Sequence, residues 1–188
     1  MESNLQTYCL QELEAYRKFK SSEKIIAFKE WFYKESELFT DVDKKMSEEV
    51  SLRNDCKIKE CYRNTWISTS SFRTLKYYEG FVFSEDIPIP IEHSWLVTSD
   101  GKIVDPTLII NGKRLAQQLK KYKQKPIEKC GLKERKSRLG DEYFGVQIPT
   151  DFVNKIAIKE MRTGAFVYEY FVQKIMQQNL VKMMERTN

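Results

Sequence analysis

The stretch HSWLVTSDGKIVDPT, residues 93–107, sets the architecture that we expect for this chain. Two short runs of β-branched and aromatic residues flank Ser99-Asp100-Gly101, which has the composition of a turn, so the stretch predicts two antiparallel strands. The only histidine of the 188 residues, His93, opens the first run, and Asp105 ends the second. A turn centred on Asp100 and Gly101 would place Asp105 opposite Leu96, a few residues from the position opposite His93.

The sequence on either side predicts helices before these strands and a helix after them. Mixed three- and four-residue spacings of apolar side chains indicate a helix over residues 23–36 and another that starts near Cys61. Strand-like runs cover residues 75–85, 142–149 and 154–158, and an amphipathic helix is expected over about 163–186. This order is typical of the α+β class, with N-terminal helices packed on an antiparallel sheet.

The length suits one domain, 1–188, with a helical part over about 1–72, a sheet part over about 73–158 and a C-terminal helix over about 160–186. Hydrophobic residues make up 41% of the chain, which is a globular composition. No run approaches the roughly 18 to 20 apolar residues of a membrane span, and the N-terminus lacks a signal-peptide pattern. We therefore expect a cytoplasmic protein without a membrane association.

Four cysteines show no CxxC spacing, and one histidine cannot complete an ordinary zinc site except as Cys3His. They are Cys9, Cys56, Cys61 and Cys130. The chain carries neither a GxGxxG nor a P-loop pattern, so we expect no cofactor and no metal. Reduced thiols in an intracellular setting are the interpretation that fits this cysteine usage.

Three residues can be combined into a nucleophilic site. The thiolate of Cys61 is favoured at a helix start by free backbone N–H groups and by the positive end of the helix dipole. His93 can accept and return a proton, and it needs a third group to fix its tautomer and orientation. Asp105 is the natural candidate for that group.

In this order the residues resemble the Cys-His-Asp core of the transglutaminase-like cysteine enzymes, within the wider papain-like group. The resemblance covers residues 61–107, about a quarter of the chain. In that superfamily the histidine strand typically reads His-Ala-Trp, a turn with Gly follows, and the aspartate often precedes Pro or Trp. The resemblance implies that Cys61 is the nucleophile, His93 the general base and acid, and Asp105 the orienting group, while Trp95 matches the aromatic residue after the histidine.

The chain departs from the family pattern around the nucleophile. The family's cysteine often follows a turn that contains Gly, whereas this chain reads IKECYRN. The papain-like oxyanion donor, a Gln upstream of the cysteine, is replaced at the spacing of six by Asp55. Oxyanion stabilisation is therefore expected from the Cys61 N–H, with Asn64 or Gln147 as candidate second donors and Trp95 as a candidate substrate contact.

Each of these residues also has a structural interpretation. A lone histidine such as His93 often serves only as a hydrogen-bonded core residue, and Asp105 can shape the turn before Pro106. Cys56 is an alternative thiol, in a run that is typical of a polar loop. For Tyr143 on the last predicted strand, core packing is the default interpretation and lining the cleft is the alternative.

The reaction that the resemblance implies is attack of a thiolate on an amide-type carbonyl, which gives a thioester that water or an amine resolves. The substrate would be a protein or a peptide-like amide. The alternative function is a catalytically silent binding module that uses residues 113–138. This segment, from Lys113 to Arg138, contains eleven Lys or Arg residues and only two acidic residues. That charge would attract an acidic protein or non-specific nucleic acid. The sequence contains no signal for an oligomeric state.

Overall fold

The computed structural model describes residues 3–84, 87–110 and 140–187 and confirms the α+β class. The helices that lie wholly within these ranges are α1 Asn4–Lys18, α2 Glu23–Glu35, α3 Lys44–Arg53, α4 Cys61–Ser71, α5 Thr150–Glu160 and α6 Val167–Thr187. The strands are β1 Glu37–Phe39, β2 Lys76–Ser84, β3 Ile87–Val97, β4 Ile103–Val104 and β5 Glu142–Gln147. The helix expected near Cys61 begins at that residue.

The five strands form one antiparallel sheet in the order β1-β5-β2-β3-β4. At its centre, Gly80 of β2 lies opposite Gly145 of β5 on one side and His93 of β3 on the other. A Cβ atom on Gly80 would come within 2.2 Å of the Phe144 carbonyl oxygen. The pair of glycines therefore allows a close backbone approach in the middle of the sheet.

The hairpin of β3 and β4 differs in register from the sequence expectation, because Leu96 pairs with Val104 rather than with Asp105. The cause is the loop. Gly101 adopts a φ of 84°, while the Thr98 N–H donates to the Lys102 carbonyl and the Thr98 carbonyl accepts from the Gly101 N–H. A loop that ends in a left-handed residue slips the pairing relative to a two-residue turn. Asp105 consequently lies just beyond the end of β4.

Both faces of the sheet are covered. One face carries an aromatic core with Tyr78, Val82, Trp95, Val97, Ile103 and Tyr143. The other face receives α1 and α2 through a cluster of Leu5, Cys9, Phe32, Phe144 and Val146. Next to it, α5 and the start of α6 pack through Tyr77, Ile148, Val153, Ala157 and Phe166. Helix α4 lies along β3, where the Thr65 hydroxyl donates to the Ser94 carbonyl.

The predicted division into a helical and a sheet region holds only roughly. Strand β1, at residues 37–39, lies inside the expected helical part and pairs with β5. Residues 150–160, placed in the sheet part, form helix α5. Pro149 precedes that helix, and its buried Val153 and Ala157 are four residues apart, so the helical period governs this segment.

A buried carboxylate attaches the C-terminal helix to the sheet. Glu79 of β2 is 1% exposed, and one of its oxygens accepts the backbone N–H groups of Phe166 and Val167 at 2.7 and 2.8 Å. The other oxygen accepts the Tyr77 hydroxyl at 2.7 Å. These amides belong to the start of α6, where N–H groups lack helical partners, so Glu79 acts as a cap supplied from another element.

None of the helices in the described ranges is both long enough and apolar enough to cross a membrane.

Candidate active site

Cys61 is the first residue of α4 and is half-buried. The residue before it, Glu60, makes no side-chain cap to the helix. Lys59 adopts a φ of 65°, a conformation that glycine takes more readily, so the turn before the cysteine is made without a glycine. The N–H groups of the first helical turn therefore remain directed at the region around the sulfur.

His93 and Asp105 are in direct contact. The His93 Nε2 atom lies 2.8 Å from Asp105 Oδ2, and the two residues are 4% and 0% exposed. His93 comes from the middle of β3, and Asp105 reaches it from the chain that leaves β4. Their contact thus depends on the chain beyond the hairpin and not on cross-strand pairing.

Both oxygens of the Asp105 carboxylate have several donors. Oδ1 accepts the N–H groups of Thr107 and Leu108 at 3.0 and 2.9 Å, and so caps the helical turn that starts at Leu108. Oδ2 accepts the Tyr143 hydroxyl at 2.9 Å in addition to His93. Asp105 therefore combines both interpretations: Oδ1 shapes the turn after the residue, and Oδ2 holds the His93 ring.

Ser47 and Tyr143, from two other elements, help to hold Asp105 in place. The Asp105 N–H donates to the Ser47 hydroxyl at 2.9 Å, which joins α3 to the site. Tyr143 is completely buried, so it does not line a cleft. It packs in the core and its hydroxyl donates to Asp105. The spacing of Asp105 and Thr107 is a recognisable aspartate-turn signal, but nothing in the sequence links Ser47 or Tyr143 to Asp105.

The electrostatics of the histidine follow from its partners. Burial alone would lower the pKa of His93, but the charge and the hydrogen bond of Asp105, together with the contact to Cys61, raise it to about 10. The pKa of Asp105 lies below its usual value, because the attraction of His93 and the hydrogen bonds outweigh the opposing effect of burial. A protonated imidazole beside a carboxylate is the favoured state of this pair.

Cys61 is the second partner of the imidazole ring. Burial on its own would raise the pKa of the thiol, but the hydrogen bond to His93 and the charge of that residue lower it below its ordinary value. The N–H groups of Ser94 and Tyr62 contribute to the lowering by donating to the sulfur. Since Nε2 is bonded to Asp105, the other ring nitrogen, Nδ1, is the one available to the thiol. Imidazolium and thiolate can therefore coexist here.

Asn64 is near the site but its amide has other partners. Its Nδ2 donates to the Lys57 carbonyl at 2.6 Å and to the Thr107 hydroxyl at 2.9 Å, and its Oδ1 accepts the Lys57 N–H at 2.9 Å. The residue is 0% exposed. Its amide therefore connects the loop before Cys61 to the loop after Asp105, rather than presenting a free donor to an oxyanion.

Trp95 and Gln147 do not contribute to the cluster of Cys61, His93 and Asp105. Trp95 is 0% exposed and packs against Tyr78 and Tyr143 in the aromatic core, so it is a core residue rather than a substrate contact. Gln147 ends β5, which β2 separates from β3, and its side-chain oxygen accepts the Tyr78 hydroxyl at 3.4 Å. Neither position provides the second oxyanion donor for Cys61.

The alternative thiol, Cys56, is buried beside α3, where its sulfur lies 4.0 Å from the Val50 carbonyl. Burial raises the pKa of this thiol above the ordinary value. The geometry therefore favours Cys61 over Cys56. The predicted basic segment, residues 113–138, lies outside the described residues.

Comparisons with protein-family models, with curated proteins and with solved structures find no match for this chain. The transglutaminase-like resemblance therefore stays a prediction, and the function is argued from the geometry of the side chains.

Proposed function

We propose that the protein is a cysteine-dependent hydrolase or acyltransferase that acts on an amide-type bond. The observation that carries this proposal is the bond of 2.8 Å between His93 Nε2 and Asp105 Oδ2, made by a histidine that also contacts Cys61. This arrangement supports a chain of nucleophile, base and orienting group of the kind that thiol catalysis requires.

The reaction begins with attack of the Cys61 thiolate on the carbonyl carbon of the amide. The new carbon–sulfur bond puts the negative charge on the carbonyl oxygen, and the uncapped N–H groups at the start of α4 are the candidate donors to that oxygen. The carbon–nitrogen bond then breaks, and the His93 imidazolium gives its proton to the leaving amine. A thioester on Cys61 and a neutral His93 remain.

Water completes the hydrolytic reaction. Neutral His93 takes a proton from water while the oxygen attacks the thioester carbonyl, and the carbon–sulfur bond breaks to release a carboxylic acid and restore the thiolate–imidazolium pair. An amine in place of water would give a new amide. Hydrolysis is the first choice, because water requires no second binding site.

Acylation by p-nitrophenyl acetate tests the proposal, because this ester shares the acyl-enzyme step and releases a coloured product. We expect a burst of p-nitrophenolate equal to the amount of protein, with one acetyl group found on Cys61 by mass spectrometry. The burst should be absent from Cys61→Ser and from His93→Ala. The matched control, Cys56→Ser, should keep it.

A burst that persists in Cys61→Ser, or its absence from the folded wild-type protein, would refute catalysis by this thiol. The latter result would leave the silent binding module, whose basic segment should then give an association with polyanions that weakens as salt is added.

A further inference from the structure

One oxygen of Asp105 is shared by donors from two different strands. Its Oδ2 lies 2.8 Å from His93 Nε2 and 2.9 Å from the Tyr143 hydroxyl oxygen. The rings of His93 and Tyr143 have centroids 6.5 Å apart, and all three residues are buried. A donor to a carboxylate stabilises the charge of that group, so each of these bonds makes Oδ2 a weaker acceptor for the other.

The Tyr143 hydroxyl has its proton directed at Asp105. The Gly140 N–H donates to the hydroxyl oxygen at 3.1 Å, and an N–H group cannot accept. An ionised carboxylate only accepts, so the hydroxyl proton is left for Oδ2. Burial and, after it, the charge of Asp105 raise the pKa of Tyr143 well above its ordinary value, so the hydroxyl keeps this proton.

The acid–base balance of His93 depends chiefly on these hydrogen bonds. The ionisable groups that act on the network from outside are Cys61, which acts on His93, and Asp141, which acts on Tyr143. Glu92 precedes His93 on β3, and its side chain lies on the opposite face of the sheet because side chains alternate along a strand. A change in the hydroxyl of Tyr143 should therefore be felt at the imidazole.

The two halves of the proposed reaction need opposite states of His93. The imidazolium favours the thiolate of Cys61, whereas hydrolysis of the thioester requires neutral His93 to take a proton from water. A carboxylate bonded to His93 alone would bind the imidazole proton more tightly. We propose that the Tyr143 hydroxyl weakens the bond between Asp105 and the imidazolium, and that Tyr143 is thereby a positioning residue of the reaction. This inference rests on the proposed function and adds to it a residue that acts through Asp105.

The variant Tyr143→Phe tests the inference, because it removes the hydroxyl and keeps the ring. Asp105 then bonds more strongly to the imidazolium, so the iodoacetamide rate profile of Cys61 should shift by about half a unit to lower pH. The acetyl thioester formed from p-nitrophenyl acetate should be hydrolysed about threefold more slowly at about pH 7, since less His93 is neutral. The steady release of p-nitrophenolate after the burst measures this step.

The third readout is direct, because His93 is the only histidine of the chain and its NMR signals need no assignment. The Cε1–H signal of His93 should titrate about half a unit higher in Tyr143→Phe than in wild type. A merely structural loss would let Asp105 move away from the imidazole. It would shift the His93 titration to lower pH and the Cys61 profile to higher pH, which are the opposite directions.

The matched control is Tyr78→Phe. Tyr78 is also buried in the aromatic core, but its hydroxyl donates to Glu37 at 3.0 Å. This variant should keep the wild-type values of all three readouts. If Tyr143→Phe does not fold, 3-fluorotyrosine at position 143 takes its place. Fluorine makes the hydroxyl a stronger donor in nearly the same shape, so all three shifts should be reversed.

Two outcomes contradict the inference, with different consequences. Unchanged profiles, or a slowing of both alkylation and thioester hydrolysis, would mean that Tyr143 only holds Asp105 in place, and a burst at Cys61 would leave the proposed function intact. A wild-type protein that gives no burst, and whose His93 titrates near the ordinary pKa of about 6.5, would overturn the proposed function together with the role of Tyr143.

Discussion

Asp105 is the residue on which the candidate site depends most. It is completely buried, yet its carboxylate accepts four hydrogen bonds, and its charge helps raise the pKa of His93 to about 10. Burial of a carboxylate is tolerated only when donors of this kind replace water. The cost of burying Asp105 is thereby offset, and its charge remains available to the imidazole.

The variant Asp105→Asn should slow alkylation of Cys61 near pH 7. Loss of the carboxylate lowers the pKa of His93, so the imidazole is less often protonated and the pKa of Cys61 rises. An opposite charge at this distance shifts a pKa by roughly 1 to 3 units, so the rate should fall about tenfold or more. The measurement is the iodoacetamide rate at Cys61, with circular dichroism as a check of folding.

Asp100→Asn is the matched control, because Asp100 lies exposed in the same hairpin and pairs with Lys102. It should label at the wild-type rate. Equal rates in both variants would mean that Asp105 has only the turn-capping role of its other oxygen.

At the residue scale, chain order and secondary structure were enough to select Cys61, His93 and Asp105 as one group. The supporting residues were not accessible in the same way. Asn64, named as an oxyanion donor, has its amide bonded to Lys57 and Thr107. Tertiary contacts decide such roles, and a single sequence does not display them.

Polar contacts of Asn64 fix the N-terminal end of helix α4. Asn64 connects it to the loop before Cys61 and to the loop after Asp105, and the Ser68 hydroxyl donates to the Asn64 carbonyl at 2.6 Å. These bonds thus fix the position of Cys61 beside β3.

Replacement of Asn64 by Ala should destabilise helix α4 and slow the alkylation of Cys61. The change leaves the buried Thr107 hydroxyl without its donor and removes both bonds to the Lys57 backbone, which costs about 1 to 3 kcal/mol of unfolding free energy. Alkylation of Cys61 should slow as well, because the first turn of α4 is no longer fixed. Urea denaturation and the iodoacetamide rate give the two readouts.

Ser71→Ala serves as the control on the same helix, since its hydroxyl makes an exposed bond to Asn54. Its effect on both readouts should be small. A wild-type labelling rate in Asn64→Ala would show that α4 does not need this amide to position Cys61.

The attachment of α6 predicts a pH dependence of stability. Burial raises the pKa of Glu79 from 4.5 to about 7, despite the lowering effect of its hydrogen bonds to Tyr77, Phe166 and Val167. In this range the folded chain holds a proton that the unfolded chain releases, so the free energy of unfolding falls as the pH rises. His93, with a pKa raised from 6.5 to about 10, contributes stability that is lost only above about pH 6.5.

The unfolding free energy of the wild-type protein should therefore fall by about 2 kcal/mol between about pH 4.5 and about pH 6.5 because of Glu79. In Glu79→Gln this contribution to the pH dependence should be absent. The amide keeps an oxygen for the N–H groups of α6 but does not titrate. Urea denaturation at several pH values measures the slope. Glu92→Gln, at an exposed position on β3, is the control, and an unchanged slope in Glu79→Gln would contradict the assignment.

At the element scale the sequence was informative where local chemistry dominates. The start of α4 at Cys61 and the hairpin after His93 were both predicted, since helix periodicity and turn residues are local signals. The register of β3 and β4 differs by one residue from the expectation because the loop that ends at Gly101 is longer than a two-residue turn. Residues 154–158 were expected to extend the sheet, but they follow a helical period.

The strands approach each other most closely at the glycine pair in the centre of the sheet. Gly145 faces Gly80 there, and a Cβ on Gly145 would lie 2.3 Å from the Glu79 carbonyl oxygen and 2.6 Å from the Trp95 ring. These neighbours belong to the strands that carry Glu79 and His93. Packing at this point therefore affects both the attachment of α6 and the candidate site.

Gly145→Ala should lower the unfolding free energy by about 3 kcal/mol, because the added carbon overlaps backbone that cannot move without displacing β2. Gly164→Ala is the control, since its nearest neighbour at 3.2 Å is the flexible end of Arg162. Its effect should stay within about 0.5 kcal/mol. Equal stabilities of the two variants, measured in urea, would mean that the sheet centre is not closely packed.

At this scale the sequence predicted the α+β class but not the strand order. Pairing of β1 with β5 joins residues about a hundred positions apart, and composition carries no signal for such a contact. The basic segment, residues 113–138, stood out by charge alone, and its part in the fold lies outside the described residues.

The most direct test of the central claim is the rate of iodoacetamide labelling at each cysteine of the folded protein from about pH 5 to about pH 9, in wild type and His93→Ala. A thiolate paired with His93 predicts fast labelling of Cys61 well below the usual thiol pKa of about 8.5, lost in the variant, while buried Cys9 and Cys56 react slowly. Labelling of Cys61 that rises only near about pH 8.5 in both proteins would contradict the claim.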